Sequence, residues 1–308
     1  MRNAECGVGK KCGARNAECG VEEEKSREPE RRSSRVRRHM VIALRIFLIY
    51  LAFVLIVYLT QRRLLYFPSR ESLSEVLAFA KQIGLEAWPE ADEQHRGFMA
   101  AQNVKGKPLG TIVVCHGNAG SALNRFYYAD ALNRLGYRVL LAEYPGYGAR
   151  AGKCCEKSFV EDTKATLKAL HEQGLGPILL WGESLGCGVV AAVASDPDVN
   201  VVGLVLLSPW DSLPNLAQKL YWYLPAKWLV KDKYDSVANL SAYSRPVAIL
   251  MAEEDEIIPN ACSMRLYESL NCPKKLWTFP DAGHNSWPVE PGLPWWGEVV
   301  EFVRNRTK

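Results

Sequence analysis

The feature that most constrains this chain is a Gly-x-Ser-x-Gly motif, Gly182 to Gly186, set between an apolar run and a run of small residues. The apolar run, 177–181, is typical of a buried strand, and residues 189–194 contain no proline and suit a helix. A serine on such a strand-to-helix turn is held exposed in a strained conformation that the flanking glycines allow. The motif predicts that Ser184 is a nucleophile, against the alternative of an ordinary turn serine.

Apolar runs and helix-like stretches alternate along the rest of the chain. The apolar runs are 110–115, 138–143, 177–181, 201–207, 246–251 and 275–279, and the helix-like stretches are 121–135, 157–173, 185–195, 261–270 and 295–305. This alternation is typical of a mostly parallel sheet with helices on both faces. Residues 64–308 are long enough for one domain with a large core, so the predicted fold class is α/β.

A nucleophilic serine needs a base, and an acid that orients the base. In hydrolases with this nucleophile turn, the acid and then the base follow the serine along the chain. Of the five histidines, only His284 follows Ser184, and it lies on a loop after the apolar run 275–279. Loops at strand ends are where site residues are expected. His284 is therefore the predicted base, and the alternative is a surface histidine without a role.

The predicted acid is Asp255. It belongs to a turn of four consecutive acidic residues that follows the apolar run 246–251, which is where this chain order requires an acid. Glu254 and Glu253, in the same turn, are the next choices. Asp211, one predicted strand earlier, is another alternative, and an ordinary solvated acidic loop is the remaining interpretation of the turn.

Two backbone amides are predicted to bind the oxygen anion that forms when a carbonyl is attacked. One is the amide of Leu185, directly after the nucleophile. The other is the amide of Asn118, in a His-Gly-Asn-Ala-Gly loop that follows an apolar strand. Gly117 in this loop lets the backbone approach a substrate closely. His116 is predicted to order the loop and not to act as the base.

Together these motifs resemble the α/β-hydrolase superfamily. The resemblance includes the turn of Glu143 to Gly148 and covers roughly residues 64–306. It is closest to a membrane-anchored single-pass branch, in which a Tyr-Phe-Pro segment, here Tyr66 to Pro68, follows the anchor. The resemblance implies an α/β-hydrolase fold and serine hydrolysis. One departure is Glu143, where related sequences often carry aspartate.

A second strong pattern lies near the N-terminus. Twenty residues from Met40 to Leu59 contain one charge, Arg45, and as a helix they span about 30 Å, the thickness of a bilayer core. We expect a transmembrane signal-anchor helix over residues 40–60. The competing interpretation is a cleaved signal peptide, whose apolar run is usually shorter and followed by a small-residue cleavage site. Arginines before the run predict a cytoplasmic N-terminus and an extracytoplasmic hydrolase domain.

Residues 1–39 form a basic tail that carries the whole net charge of +4. The basic excess therefore serves membrane orientation, and no nucleic-acid surface is expected. The segment from Arg2 to Val8 recurs from Arg15 to Val21 without a core-forming pattern, which predicts disorder. The repeat also raises the hypothesis that the natural start is Met40, in which case most of the charge bias that orients the anchor disappears.

Residues 211–245 form an insertion rich in aromatic side chains between two predicted strands. One interpretation is a lid whose aromatic face covers an acyl pocket or touches lipid. The other is a small helical excursion packed on the core. The two interpretations differ in where the aromatic side chains should point.

The sequence thus predicts a membrane-anchored serine hydrolase that cleaves carboxylic ester or thioester bonds through an acyl-enzyme. Because the domain is tethered to a bilayer, small-molecule or lipid acyl substrates and acylated proteins are the expected partners. A serine peptidase on the same residues and an inactive membrane-bound binding module are the alternatives. Nine cysteines are scattered without C-x-x-C spacing, and no metal or cofactor is expected.

Overall fold

The computed structural model describes residues 15–100 and 107–305, with side chains from residue 32 onward except residue 34. The chain divides after Leu59 into two compact units. The helices are α1 (Arg15–Leu65), α2 (Leu73–Gln82), α3 (Phe126–Asn133), α4 (Glu156–Glu172), α5 (Leu185–Ala194), α6 (Leu213–Leu220), α7 (Ala226–Leu229), α8 (Ser236–Asn239), α9 (Asn260–Ser269) and α10 (Pro294–Asn305). The strands are β1 (Phe67–Pro68), β2 (Leu85–Trp88), β3 (Gly97–Ala100), β4 (Thr111–Cys115), β5 (Ala119–Gly120), β6 (Arg138–Ala142), β7 (Ile178–Glu183), β8 (Leu204–Leu207), β9 (Val247–Ala252) and β10 (Lys274–Phe279).

Helix α1 begins at Arg15, so from that residue on the structure has a helix where a disordered tail was predicted over residues 1–39. Glutamate and arginine are good helix formers, so a helix that includes the apolar run continues into the charged segment. Residues 1–14, with the first copy of the repeated segment, lie outside the described residues. The part of α1 from Arg35 to Leu65 has a window of mean hydropathy 2.8, and it is long and apolar enough to cross a bilayer.

An eight-stranded sheet forms the centre of the second unit, in the order β10-β9-β8-β7-β4-β6-β3-β2. The strands from β10 to β6 run parallel, whereas β3 is antiparallel to both β6 and β2. This mostly parallel sheet confirms the predicted fold class. All six predicted apolar runs form strands within it.

Helices cover both faces of the sheet, as predicted. Side chains of a strand alternate between its two faces, and β4 illustrates the result. Val113 belongs to the same core as Phe159 of α4, while Ile112 belongs to the opposite core with Tyr128 of α3 and Trp296 of α10. Because the sheet is buried on both sides, its central strands consist mainly of apolar residues.

The sequence analysis missed the first elements of the second unit, α2, β2 and β3. Strands β2 and β3 have four residues each, and only the two end residues of β2 are buried, with a charged, exposed side chain at Glu86 between them. Neither strand has a sustained apolar run. Their place at the sheet edge depends on antiparallel pairing with distant residues, which periodicity within a segment does not reveal.

Residues 211–245 form the three short helices α6, α7 and α8. One side of this insertion packs on the domain through Leu213 and Leu216, which are buried in one of the two cores. Trp222 and Trp228 are exposed on the outside, whereas Tyr234 is fully buried. The inner side of the insertion therefore packs on the core, as the helical-excursion interpretation expects, and its exposed tryptophans lie away from the core.

Parallel strands bring their carboxyl ends to one edge of the sheet, where ligands bind in open α/β folds. Strand β7 ends directly before Ser184, β9 ends just before Asp255, and the loop after β10 carries His284. Strand β4 runs into the His-Gly-Asn-Ala-Gly loop at the same edge. The sheet topology therefore gathers the residues that the sequence analysis singled out.

Candidate active site

Ser184 lies on a tight turn between β7 and α5, with φ 51° and ψ −112°. A positive φ is unfavourable for a residue with a side chain, so the surrounding structure must hold this conformation. The turn also leaves no room at the flanking position 182, where a side-chain carbon would lie 2.6 Å from the Cα of Cys187. At position 186 it would collide with the carbonyl oxygen of Cys115. Glycine at Gly182 and Gly186 is thus required by close backbone packing.

The structure brings Ser184 and His284 together across 100 residues of chain. The Nε2 atom of His284 lies 3.1 Å from the Oγ atom of Ser184. On the other side of the ring, Nδ1 lies 2.8 and 3.0 Å from the two carboxylate oxygens of Asp255. Since an ionised carboxylate only accepts hydrogen bonds, Nδ1 carries the proton and Nε2 is free to accept one from the serine.

Asp255 is held in place by hydrogen bonds from four groups. Its Oδ1 atom accepts hydrogen bonds from the amides of Ile257, at 3.0 Å, and Ile258, at 2.7 Å. Its Oδ2 atom accepts one from the hydroxyl of Ser208, at 2.8 Å, and the fourth is His284. Burial raises the pKa of Asp255, but the hydrogen bonds from His284, Ile258 and Ser208 outweigh burial and lower it. The carboxyl group is therefore ionised at neutral pH.

Ser208 is a site residue that the sequence analysis missed, and its hydroxyl has a testable role. A hydrogen bond to a charged group contributes about 1.5–3 kcal/mol, and the lower figure corresponds to about a tenfold change in rate. We therefore expect Ser208→Ala to lower kcat about tenfold with little change in KM, because Asp255 would orient His284 less well. Steady-state kinetics on a soluble ester measures both constants.

The control for this prediction is Ser208→Gly. Ser208 has a positive φ of 50°, which glycine adopts without strain, so this variant removes the hydroxyl without adding a backbone penalty. Both variants should lose activity to a similar extent. Wild-type kcat in Ser208→Gly would show that the hydroxyl has no part in positioning Asp255.

The alternative acids lie in other surroundings. The carboxylate of Asp211 accepts hydrogen bonds from Asn215 and Arg265, each at 2.9 Å. Glu254 is exposed, and so is Glu256, whose carboxylate accepts a hydrogen bond from the backbone amide of His284 at 2.9 Å. Among the predicted acids, Asp255 is the one whose carboxylate contacts the imidazole ring.

The His-Gly-Asn-Ala-Gly loop lies against Ser184. A side-chain carbon at Gly117 would be 3.7 Å from the Cβ atom of Ser184. His116 is buried, with Nδ1 2.8 Å from the carbonyl oxygen of Gly117 and Nε2 3.1 Å from the carboxylate of Glu143. These contacts fix the loop, which agrees with the loop-ordering role expected for His116.

Asn118 is oriented by the segment that follows α1. Its carbonyl oxygen accepts hydrogen bonds from the amide of Phe67, at 2.9 Å, and the hydroxyl of Tyr147, at 2.7 Å. Its side-chain amide donates to the carbonyl of Leu65 at 2.9 Å. Leu185 is the first residue of α5, and the first amides of a helix have no partner within it. That the amides of Asn118 and Leu185 bind an oxyanion stays a prediction.

A half-buried ion pair between Arg125 and Glu183, directly before Ser184, also escaped the sequence analysis. One carboxylate oxygen of Glu183 accepts hydrogen bonds from Arg125, at 2.8 and 3.1 Å, and the other accepts from the hydroxyls of Tyr127 and Tyr128, at 3.1 Å each. Burial raises the pKa of Glu183, but the Arg125 guanidinium, His116 and the hydroxyl of Tyr128 together outweigh burial and lower the pKa. The residue before Ser184 is thus fixed as a charged, fully hydrogen-bonded group.

Comparisons with known proteins agree with this architecture. A family model described as the alpha/beta hydrolase fold matches residues 110–242. The uncharacterized protein Rv2307c of Mycobacterium tuberculosis is 33% identical over 238 residues, which cover 75% of this chain and 83% of that protein. The lysophosphatidylserine lipase ABHD12 of Danio rerio is 28% identical over 200 residues, which cover 59% of this chain and 52% of that protein.

Two solved structures share the fold. A Pyrococcus furiosus esterase superposes with a TM-score of 0.58 at 17% identity, covering 79% of this chain and 98% of the esterase. The ferulic-acid-bound Est1E of Butyrivibrio proteoclasticus superposes with a TM-score of 0.53 at 18% identity, covering 66% and 91%. At these identities the likeness concerns the fold.

Proposed function

The chain belongs to the α/β-hydrolase family, and from that premise we propose that it is a membrane-anchored serine hydrolase that cleaves carboxylic ester or thioester bonds. The observation that carries the proposal is the continuous hydrogen-bonded line from Ser184 through His284 to Asp255. A hydroxyl, a base and an orienting acid in this arrangement are what acyl transfer to a serine needs.

In the proposed reaction, the Oγ atom of Ser184 attacks the carbonyl carbon while Nε2 of His284 takes its proton. Asp255 keeps the imidazole in the required tautomer and stabilises the positive ring that forms. The amides of Leu185 and Asn118 bind the oxygen anion. The protonated His284 then gives its proton to the leaving alcohol or thiol, and water, activated by the same base, releases the acid from the acyl-enzyme.

Membrane anchoring is supported by the apolar part of α1. Its large side chains, including Ile49, Leu59 and Ile46, are exposed, which is unfavourable in water over so long a stretch. A bilayer would bury them. The arginine-rich residues before this part favour a cytoplasmic N-terminus with the hydrolase domain on the other side. Alkaline extraction of membranes should leave the full-length chain in the membrane fraction.

Lipids or acylated proteins are the favoured substrates. A tethered site meets acyl chains held in or near its own bilayer at a high local concentration. The name of the Danio rerio relative, a lysophosphatidylserine lipase, supports a lipid ester without fixing the headgroup for this chain.

Labelling with a fluorophosphonate tests the proposed nucleophile directly. We expect the full-length protein in detergent to be modified on Ser184, as identified by peptide mass spectrometry, and to hydrolyse p-nitrophenyl esters. The chain length with the highest kcat/KM would measure the acyl pocket. A folded protein that hydrolyses only peptide bonds would be a peptidase. One that neither reacts nor hydrolyses would be a binding module.

A further inference from the structure

We propose that four aromatic residues on the insertion, Tyr221, Trp222, Tyr223 and Trp228, dock on the surface of the bilayer in which the chain is anchored. We call these four residues the aromatic surface. The proposal rests on the membrane anchoring proposed above and adds a second, peripheral contact with lipid.

The aromatic surface is unusually exposed. Trp222 and Trp228 are each 79% exposed, and Tyr221 and Tyr223 are each 49% exposed. Three of the rings contact one another edge to face, with centroids of Trp222 and Tyr223 5.8 Å apart and those of Tyr221 and Tyr223 6.4 Å apart. Several large aromatic side chains left in solvent on one short segment mark a contact surface.

The insertion is fastened to the segment of chain that follows the apolar span. The side-chain amide of Gln61 donates to the carbonyl of Leu229, and its oxygen accepts from the amide of Lys231, at 3.2 and 2.7 Å. Arg62 forms two hydrogen bonds with the carboxylate of Asp232, at 2.8 and 2.9 Å. Leu229 directly follows Trp228 in the chain.

Chain connectivity then argues for a bilayer as the partner. Gln61 comes two residues after Leu59, the last residue of the apolar run, and a helix rises about 1.5 Å per residue. Gln61 therefore follows the apolar run by about 3 Å along the helix. A part of the insertion held by Gln61 and Arg62 is expected near the level of the lipid headgroups.

The chemistry of the insertion also fits that level. Tryptophan and tyrosine are enriched where a membrane meets water, because each combines an apolar ring with a polar group. Lys219, Lys227, Lys231 and Lys233 of the insertion are exposed. Two of its carboxylates are buried against arginines, Asp211 against Arg265 and Asp232 against Arg62. The outer side of the insertion therefore carries an excess of positive charge, which favours anionic headgroups.

Tryptophan fluorescence can test the contact because the apolar span contains no tryptophan and all nine of the chain lie between Trp88 and Trp296. The full-length protein is reconstituted in vesicles of phosphatidylcholine and phosphatidylglycerol, with or without lipids brominated near the headgroup end of the acyl chains. We expect brominated lipid to quench the wild type. In Trp222→Phe/Trp228→Phe, the quenched fraction should fall to less than half of the wild-type value.

The matched control is Trp277→Phe. Trp277 is a half-buried tryptophan on the sheet strand β10, so its loss should leave the quenched intensity unchanged. Equal quenching in the wild type and the double variant would overturn the docking proposal. The proposal would also be wrong if the wild type formed a dimer that the double variant did not form, because the aromatic surface would then bind a second copy of the chain. Flotation of the vesicles tests the anchor separately from the docking. A wild-type protein that does not float with the vesicles has no membrane anchor, and the docking proposal is then wrong as well.

Discussion

Replacing Ser184 with alanine is expected to lower kcat for ester hydrolysis by about 10⁴-fold or more. In the variant, the Nε2 atom of His284 has no hydroxyl within reach from which to remove a proton, so an acyl-enzyme does not form. Binding and the predicted oxyanion amides remain, which leaves a small activity above the uncatalysed rate. The measurement is kcat on the best ester of the chain-length series, for the full-length protein in detergent.

The matched control is Ser195→Ala. Ser195 lies at the end of α5, the helix that Ser184 precedes, and its hydroxyl donates to the carbonyl of Ala192 at 2.8 Å. This variant should keep wild-type kcat, and thermal melts should show that both proteins are folded. An activity of Ser184→Ala within about tenfold of wild type would mean that another group attacks the substrate.

Cys187 is the nearest cysteine in the chain, three residues after Ser184, and it does not offer a substitute nucleophile. Its thiol is buried, with Sγ 3.2 Å from the carbonyl oxygens of both Gly182 and Leu207. Burial raises the pKa of this thiol well above its usual value. Burial likewise raises the pKa of Cys115 to about 12. Since the thiolate is the reactive form, neither group would mask the loss of Ser184.

The sequence predicted the central fold and the residues of the line from Ser184 to Asp255 because these depend on local patterns. The turn at Ser184 is determined by its own neighbours, and each buried parallel strand is a continuous apolar run. Chain order then left one histidine as a candidate. Parallel strands bring their carboxyl ends together, so local patterns were enough to predict a long-range arrangement.

The supporting contacts could not be predicted in the same way. Arg125 and Glu183 are 58 residues apart, and Ser208 and Asp255 are 47 residues apart. No pattern within either segment identifies the residue that it contacts, because these contacts form only when the chain is folded. The positive φ of Ser208 could not be predicted either, because the residue type that signals a positive φ is glycine or asparagine and not serine.

The contacts of the Tyr-Phe-Pro segment also could not be predicted from the sequence. The segment was interpreted only as a feature of a membrane-anchored branch, whereas the structure shows what it contacts. Strand β1, Phe67–Pro68, pairs in parallel with β5, Ala119–Gly120, in the loop that carries Asn118. The chain that leaves α1 is therefore part of the support of the predicted oxyanion loop, and shortening the protein at this point would disturb the site.

Asp255→Asn is expected to lower kcat by about 10⁴-fold, because the amide would favour the wrong tautomer of His284. The amides of Ile257 and Ile258 both donate to Oδ1 of Asp255, so the oxygen of asparagine would take this place. Its NH₂ group would then replace Oδ2, which lies 2.8 Å from Nδ1 of His284. Nδ1 would accept a hydrogen bond, the ring proton would move to Nε2, and Nε2 could not accept the proton of Ser184.

Asp211→Asn is the matched control, because Asp211 is the buried carboxylate that the sequence left as an alternative acid. We expect its kcat to stay within about tenfold of wild type, since an asparagine oxygen can still accept from Arg265.

Acid unfolding adds an independent readout. The lowered pKa of Asp255 contributes stability that is present above the unfolded-state pKa and is lost as pH falls through the folded-state pKa. Asp255→Asn should therefore lose less stability on acidification than wild type. If kcat fell further in Asp211→Asn than in Asp255→Asn, the acid would be Asp211.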